Sequence, residues 1–317
     1  MPWFAASSRA PRDIGSWTFH MICRSVAPDA VAASSTVADT ARIDDRYFWG
    51  YLISAILLAI VSFVDDVMQK TFFVKVLTQM FCVAVVLTSG VIVTKLAVPY
   101  WGEVELGVMG YVLTFLWIMG LTNAYNFMDG LDGLAAGVAV IAAGFLGAIA
   151  FEQKSVFVYM SSYVLLAGAA GFLIFNFSPA KIFMGDIGSA FLGFTFATLA
   201  VVGSSLDLGR LSFYIIPMLL FHFIFDTLFT FARRLLHGEK VHLAHRTHLY
   251  QFLNRMGYSH RTVSLFHYAV TVAQGIAAFV SVSLAPERRL LVFIPFLIFE
   301  IAYARWVLAR ARSLRLI

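Results

Sequence analysis

A cluster of polar residues ends a long apolar segment at NAYNFMDGLDG, residues 123–133. Asn123, Asn126 and Asp129 are spaced three apart, so their side chains lie about 60° from one another along one stripe of an α-helix. Two glycines beside Asp132 then break the helix and let the backbone approach a ligand closely. A polar helix cap is the simpler interpretation. However, Asn123 falls inside the expected bilayer boundary, where unpaired polar groups are costly, and we interpret the cluster as a functional site.

Two adjacent aspartates, Asp65 and Asp66, follow an apolar segment in FVDDVMQK. Adjacent carboxylates repel each other, and such a pair suits cation binding or proton abstraction. A helix end that reaches water is the alternative for this pair.

A third acidic position, Asp186, lies in GDIGS (185–189) at the start of another apolar segment. This pattern predicts a helix N-terminus beside a carboxylate, which favours a phosphate group and a hard cation that share one site. The alternative is an aspartate that only caps a helix.

A basic loop, HLAHRTHLYQ (242–251), follows the intramembrane acid Asp226. Three histidines in this short tract permit a zinc site, but no Cys or Glu completes it. His245, Arg246 and His248 near several acids instead predict a phosphate clamp. For Asp226, a buried pair with a nearby basic group is the alternative to a functional role.

Transmembrane helices must position these residues. The chain of 317 residues is 60% hydrophobic and only 13% charged, with a mean hydropathy of +0.82, whereas about 25% of residues are charged in a soluble domain. The sequence predicts an all-α, polytopic transmembrane helical bundle, because a span needs about 20 apolar residues. We expect about nine spans: 47–64, 74–94, 106–126, 134–151, 156–175, 187–205, 211–232, 263–284 and 289–308.

The basic residues predict how these spans are oriented. If the first span ends inside, thirteen Lys and Arg residues fall on inside segments and five on outside loops, which fits the positive-inside rule. All four polar clusters then lie at the cytoplasmic face. Because the basic residues serve orientation, we do not expect a nucleic acid partner.

The motifs NAYNFMDGLDGLAAG, AKIFMGDIGSAFLGF, the DD pair and HRTHLYQ occur here in a familiar order. Over residues 47–308 the chain resembles the polyprenyl-phosphate N-acetylhexosamine-1-phosphate transferases, glycosyltransferase family 4. The resemblance implies transfer of a HexNAc-1-phosphate from a UDP-sugar to undecaprenyl phosphate, with release of UMP. It implies Mg²⁺ as cofactor, with Mn²⁺ as an alternative, and an active face on the cytoplasmic side of a bacterial inner membrane. Membrane lipid is a further expected partner, and a homodimer is compatible with the resemblance.

The resemblance also implies roles for individual residues. The catalytic group, near the lipid phosphate and the nucleotide, consists of Asp65, Asp66, Asp129 and Asp132. The metal ligands on the pyrophosphate are Asn126 and Asp186. The substrate-binding residues are Lys75, Gln79, Asn123, Asp226, His245, Arg246 and His248. Direct attack by the acceptor phosphate is favoured, and a phospho-aspartate intermediate stays open.

The HRTHLYQ loop and the pattern Asp226…Arg233-Arg234 resemble the enzymes that initiate O-antigen or related surface glycans, with the amino sugar left open. Two departures from the family stand out: about nine spans instead of eleven, with the first two expected to be missing, and Gln69 after the DD pair. Residues 1–45 lack the apolar core of a signal peptide and are expected to be poorly ordered. The transferase domain is expected at 46–310, with a basic cytoplasmic tail at 311–317.

Two other interpretations are compatible with parts of the sequence. The chain could be an N-terminally truncated, inactive remnant of this family, because its first 45 residues are atypical. A proton or cation transporter is the other, but it predicts acids along the span centres, and the sequence suggested only Asp226 there.

Overall fold

The computed structural model describes residues 45–68, 72–207, 211–239 and 246–317. The N-terminal segment before Asp45, Gln69 and His245 lie outside these ranges, and the predictions made for them stay predictions.

The described residues are mostly helical. The helices are α1 (Asp45–Met68), α2 (Phe72–Thr88), α3 (Val108–Phe127), α4 (Leu134–Glu152), α5 (Val156–Asn176), α6 (Gly185–Ser205), α7 (Ile215–Leu219), α8 (Phe221–Leu236), α9 (Leu249–Arg255), α10 (His260–Ser281) and α11 (Phe293–Ser313). A 3-10 helix, Pro286–Val292, leads into α11, and a hairpin of β1 (Lys95–Val98) and β2 (Gly102–Glu105) separates α2 from α3. Seven helices in these ranges are long and apolar enough to cross a membrane, which confirms the all-α polytopic bundle.

Two of the nine predicted spans differ from that expectation. The span predicted at 74–94 is the 17-residue helix α2, which ends at Thr88 because the chain turns at Ser89 and Gly90 toward the hairpin. The span predicted at 211–232 is divided at Leu220, whose φ of −112° and ψ of 17° interrupt the helix between α7 and α8. Both are shorter than about 20 residues, the length that a straight span needs.

Glycines allow several helices to pack closely, as is common in membrane bundles. At Gly193 in α6, a Cβ atom would lie 2.8 Å from the carbonyl oxygen of Leu121 and 2.8 Å from Cβ of Tyr125 in α3. At Gly137 in α4, a Cβ atom would lie 2.0 Å from the Tyr268 hydroxyl of α10. The first contact is with backbone, which cannot move aside without separating α3 from α6.

Replacing Gly193 with alanine is therefore expected to destabilise the bundle by about 1–3 kcal/mol, the usual cost of overpacking. The matched control is Gly144→Ala, because a Cβ atom at Gly144 in α4 has no neighbour within 4 Å. Thermal unfolding in one detergent should show a lower midpoint for Gly193→Ala only. Equal midpoints for the two variants would contradict the close contact.

A buried polar pair joins α8 to α11. Nδ1 of His222 lies 2.5 Å from Oε1 of Glu300, and both side chains are almost completely buried. Glu300 is thus a second buried acid besides Asp226, and the sequence pattern did not predict it. Because His222 in α8 lies directly opposite Glu300 in α11, this buried pair is a contact between the two helices.

Candidate active site

Three helices bring one cation and two oxygen-bearing side chains together. Nζ of Lys75, near the start of α2, donates to Oδ1 of Asn126 at 3.0 Å and to Oδ2 of Asp186 at 2.5 Å. Nδ2 of Asn126, at the end of α3, donates to Oδ1 of Asp186 at 2.7 Å and to Oγ of Ser189 at 2.8 Å. The predicted metal ligands, Asn126 and Asp186, are therefore neighbours, and Lys75 contacts both.

The N-terminus of α6 faces the DD pair. The backbone N–H groups of Asp186 and Ile187 donate to the carboxylate of Asp66, each at 3.4 Å. Gly185 has a φ of 65°, and a Cβ atom there would lie 2.7 Å from Oδ2 of Asp66, so this turn requires glycine. The helix end thus holds a carboxylate, which its dipole favours, at the position where the sequence suggested a phosphate.

A cavity of about 310 Å³ opens beside these groups. It is lined by the loop 129–132, by residues 183–186 and by His260, among others. Burial, followed by the nearby carboxylates of Asp186 and Asp66, raises the pKa of Asp129 to about 7. The cavity therefore concentrates negative charge that a cation would stabilise.

The side-chain oxygens at this site are suitable ligands for a hard divalent cation that shares its coordination sphere with phosphates. Asn126 and Asp186 present side-chain oxygens here, and Oδ1 of Asp65 is buried without a hydrogen-bond donor among the described residues. Within the described ranges, no group of three or more His, Cys, Asp or Glu side chains converges on one point. Mg²⁺ is commonly held by one or two protein carboxylates together with substrate phosphates, so such a partial protein shell is suitable for it.

Asp132 lies at the rim of the cavity and joins three segments. Its Oδ1 lies 3.1 Å from Nδ1 of His260, its Oδ2 accepts from the N–H of Ala180 at 3.2 Å, and its carbonyl accepts from Ser264 at 2.9 Å. Burial raises the pKa of Asp132, but the N–H of Ala180 and His260 outweigh it, so the pKa lies below its ordinary value. Its catalytic role stays a prediction.

Gln79 and Asn123 form a second layer one helical turn behind Lys75 and Asn126. Nδ2 of Asn123 donates to Oε1 of Gln79 at 2.8 Å and to the carbonyl of Met119 at 2.8 Å. The pair links α2 to α3 just below the site, and its predicted contact with substrate stays untested.

Asp226 is completely buried and holds the start of α9. Its carboxylate accepts from the N–H groups of Leu249 at 3.0 Å and Tyr250 at 3.1 Å, and from the Thr230 hydroxyl at 3.1 Å. Nδ1 of His248 lies 3.1 Å away. Asp226 and His248 were predicted to bind substrate, and the structure places them against each other at the start of α9.

Tyr250 connects this network to the site. Its hydroxyl donates to the carbonyl of Phe127 at 2.9 Å, and a Cβ atom at Gly130 would lie 2.1 Å from that hydroxyl oxygen. Arg233 donates to the carbonyl of Thr247 at 2.7 Å. The conformation of α9 therefore sets the position of the loop after α3.

Arg246, the remaining predicted ligand of the basic loop, has an exposed side chain near the described edge of that loop. Three residues of the site were not predicted from the sequence: His260, Tyr250 and Asn176. Asn176 accepts from the N–H of Gly133 at 3.1 Å and donates to the carbonyl of Ile182 at 2.8 Å. Tyr250 lies within the HRTHLYQ motif, but neither spacing nor motif indicated the distant segments that these three residues contact.

Comparisons with known proteins give the same family as the DD, NAYNFMDGLDG and GDIGS motifs. The family model described as glycosyl transferase family 4 matches residues 48–204. A Bacillus subtilis protein named probable undecaprenyl-phosphate N-acetylglucosaminyl 1-phosphate transferase is 37% identical over 229 residues, which are 72% of this chain and 64% of that protein. A Listeria monocytogenes phospho-N-acetylmuramoyl-pentapeptide-transferase is 44% identical over 100 residues, which are 32% of this chain and 31% of that protein.

A Lactobacillus johnsonii protein of the same name as the Listeria relative is 33% identical over 164 residues, which are 48% of this chain and 51% of that protein. The chain thus spans less than two thirds of the length of each of these relatives. The family model covers the segments that carry the DD pair, the NAYNFMDGLDG cluster and GDIGS, and these are the segments that meet around the cavity. The chain therefore belongs to glycosyl transferase family 4.

Proposed function

We propose that this chain transfers a HexNAc-1-phosphate from a UDP-sugar to undecaprenyl phosphate and releases UMP, with Mg²⁺ as cofactor. The observation that carries the proposal is the contact of Lys75 with both Asn126 and Asp186, beside a cavity rich in carboxylates. The name of the Bacillus subtilis relative, a probable undecaprenyl-phosphate N-acetylglucosaminyl 1-phosphate transferase, supports it.

In this reaction an oxygen of the acceptor phosphate attacks the sugar-bound phosphorus of the donor. A new P–O bond forms, the bond to the UMP oxygen breaks, and the electron pair leaves with UMP. The acceptor is already an anion, so the step depends on positioning and charge neutralisation rather than on a strong base. Direct attack is therefore the pathway that we favour over a phospho-aspartate.

The residues of the site divide this work. Asn126 and Asp186 would hold Mg²⁺, which neutralises the diphosphate and stabilises the leaving group. The ammonium of Lys75 orients Asp186 and adds positive charge next to the phosphates. Arg246, the exposed arginine of the basic loop, lies just before α9 and suits the phosphates of the donor.

The finer assignments are also part of this proposal. The active face is cytoplasmic in a bacterial inner membrane, since the basic residues concentrate on the segments that carry the site. The HRTHLYQ loop supports a role at the initiating step of O-antigen or related surface glycan synthesis. UDP-HexNAc is the donor class, with the amino sugar to be found by experiment.

Lys75→Gln is expected to lower the transfer rate about a hundredfold, the usual effect of removing one charge-stabilising donor. The fold should persist, because the Lys75–Asp186 pair is partly exposed. Lys95→Gln is the matched control, since Lys95 pairs with Glu105 at 3.1 Å in the hairpin at the opposite end of α2. Initial rates of both variants at saturating substrate provide the test, and equal rates would contradict the role of Lys75.

The proposed activity is tested with the full-length protein in proteoliposomes that contain undecaprenyl phosphate. Several UDP-HexNAc donors are supplied in turn, with Mg²⁺ or with EDTA, and the lipid product is analysed by mass spectrometry. A lipid-linked HexNAc diphosphate that requires Mg²⁺ is the expected product. Folded, inserted protein that yields no product from any donor would overturn the proposal and favour an inactive remnant.

A further inference from the structure

An apolar groove opens between α10 and α11, at the end of the bundle that carries the candidate site. It encloses about 430 Å³, and its walls include Tyr258, Phe266, Phe299, Tyr303 and Trp306. Trp306 and Tyr258 are about half exposed, so the groove opens to the surface of the bundle. Its apolar walls suit a hydrocarbon chain rather than a polar ligand.

This groove is separate from the candidate active site. On α10, His260 and Ser264 face the loop 129–132 beside the cavity, because both contact Asp132. Thr262 and Phe266 line the groove, and their positions two residues further along place them on roughly the opposite face of the helix. The two openings share no lining residue.

Arginines follow the groove-lining residues Leu253 and Trp306 along α9 and α11. Arg310 follows Trp306 by one turn on the same face of α11. Arg255 in α9 donates to the carbonyl of Leu316 at 3.1 Å, which brings it to the end of α11. The exposed arginines of this basic cluster are Arg255, Arg305, Arg310, Arg312 and Arg315.

No acid balances this basic cluster within the described part of the chain. None of its guanidinium groups forms an ion pair there. Residues 246–317 contain two acids: Glu300 is buried against His222, and Glu287 lies in the 3-10 helix at the other end of α11. The cluster thus complements a negatively charged ligand.

We propose that the groove binds an acyl chain of an anionic glycerophospholipid, with the headgroup phosphate held by Arg310 and Arg255. Guanidinium groups form paired hydrogen bonds with phosphate oxygens, and basic residues beside a membrane attract anionic lipids. The acyl chain of a zwitterionic lipid would contact the same apolar walls, but its headgroup would be attracted less strongly by the arginines. This site is independent of the proposed transfer reaction.

Tryptophan quenching by brominated lipids tests this site without any measure of transfer. The full-length protein is placed in phosphatidylcholine vesicles with about one fifth phosphatidylglycerol, and bromine is carried on the acyl chains of one lipid or the other. The signal of Trp306 is the difference between wild type and Trp306→Phe. Brominated phosphatidylglycerol should quench this signal at a mole fraction in the membrane several-fold lower than brominated phosphatidylcholine needs for the same quenching.

Arg310→Gln and Arg255→Gln should each reduce this preference about fivefold. Arg288→Gln is the matched control, because this exposed arginine lies at the other end of α11, and it should leave the preference unchanged. Equal quenching by both lipids at equal mole fractions would overturn the proposal. So would a loss of preference in Arg288→Gln as large as in Arg310→Gln and Arg255→Gln. Relief of the quenching by added undecaprenyl phosphate would show that the groove holds the acceptor tail instead.

Discussion

Asp186→Asn is expected to reduce the transfer rate about a thousandfold while the bundle stays folded. The carboxylate of Asp186 accepts hydrogen bonds from Lys75 and Asn126, and an amide would present an NH₂ group to one of these donors. The substitution also removes one negative charge from the proposed Mg²⁺ site, so the Mg²⁺ concentration for half-maximal rate should rise. Initial rates across a Mg²⁺ titration measure both effects.

Asp207→Asn is the matched control for this result. Asp207 lies just past the other end of α6, where its carboxylate accepts from the hydroxyl of Ser155, and an amide oxygen can still accept that bond. We expect wild-type transfer from this variant. Transfer by Asp186→Asn within tenfold of the wild-type rate would contradict the assignment of Asp186 as a metal ligand.

Asp226→Ala is expected to have the largest effect on stability, about 3–5 kcal/mol, as for other buried charged networks that lose one partner. The N–H groups of Leu249 and Tyr250 would lose their acceptor, and His248 would lose its carboxylate neighbour. Transfer should fall more than a hundredfold, because Tyr250 supports the loop after α3. Thermal unfolding and initial rates of the same preparation measure the two losses.

A smaller change separates a positioning role from direct substrate binding at Asp226. Thr230→Val removes a single hydrogen bond to this carboxylate and should cost about 1 kcal/mol. If Asp226 positions α9, losses of stability and of transfer should rise together from Thr230→Val through Asp226→Asn to Asp226→Ala. Loss of transfer by Asp226→Asn at an unchanged unfolding midpoint would instead support the predicted contact with substrate.

Asn126 and Asp186 form a hydrogen bond although they are 60 residues apart, and the sequence pattern placed both polar clusters at the same face of the membrane. Each lies where an apolar segment meets a polar one, and alternation of the spans places these junctions at one end of the bundle. Long apolar segments indicate the helices that cross the membrane. Most helices and their polar ends could therefore be predicted from the sequence alone.

The contacts of Asp226 and Glu300 could not be predicted in this way. Asp226 meets backbone groups more than twenty residues away, and Glu300 meets His222 across 78 residues. Helical periodicity sets the face of a residue but not its partner on another helix. The division at Leu220 was also hidden, because the apolar run continues through it.

The most direct test of the central claim identifies the bond that breaks in the donor. The full-length protein is given undecaprenyl phosphate, Mg²⁺ and a UDP-HexNAc that is radiolabelled at the phosphorus next to the sugar. The account predicts that the label enters the lipid product and that UMP is released unlabelled. Label that remains in released UDP, with only the sugar on the lipid, would contradict it.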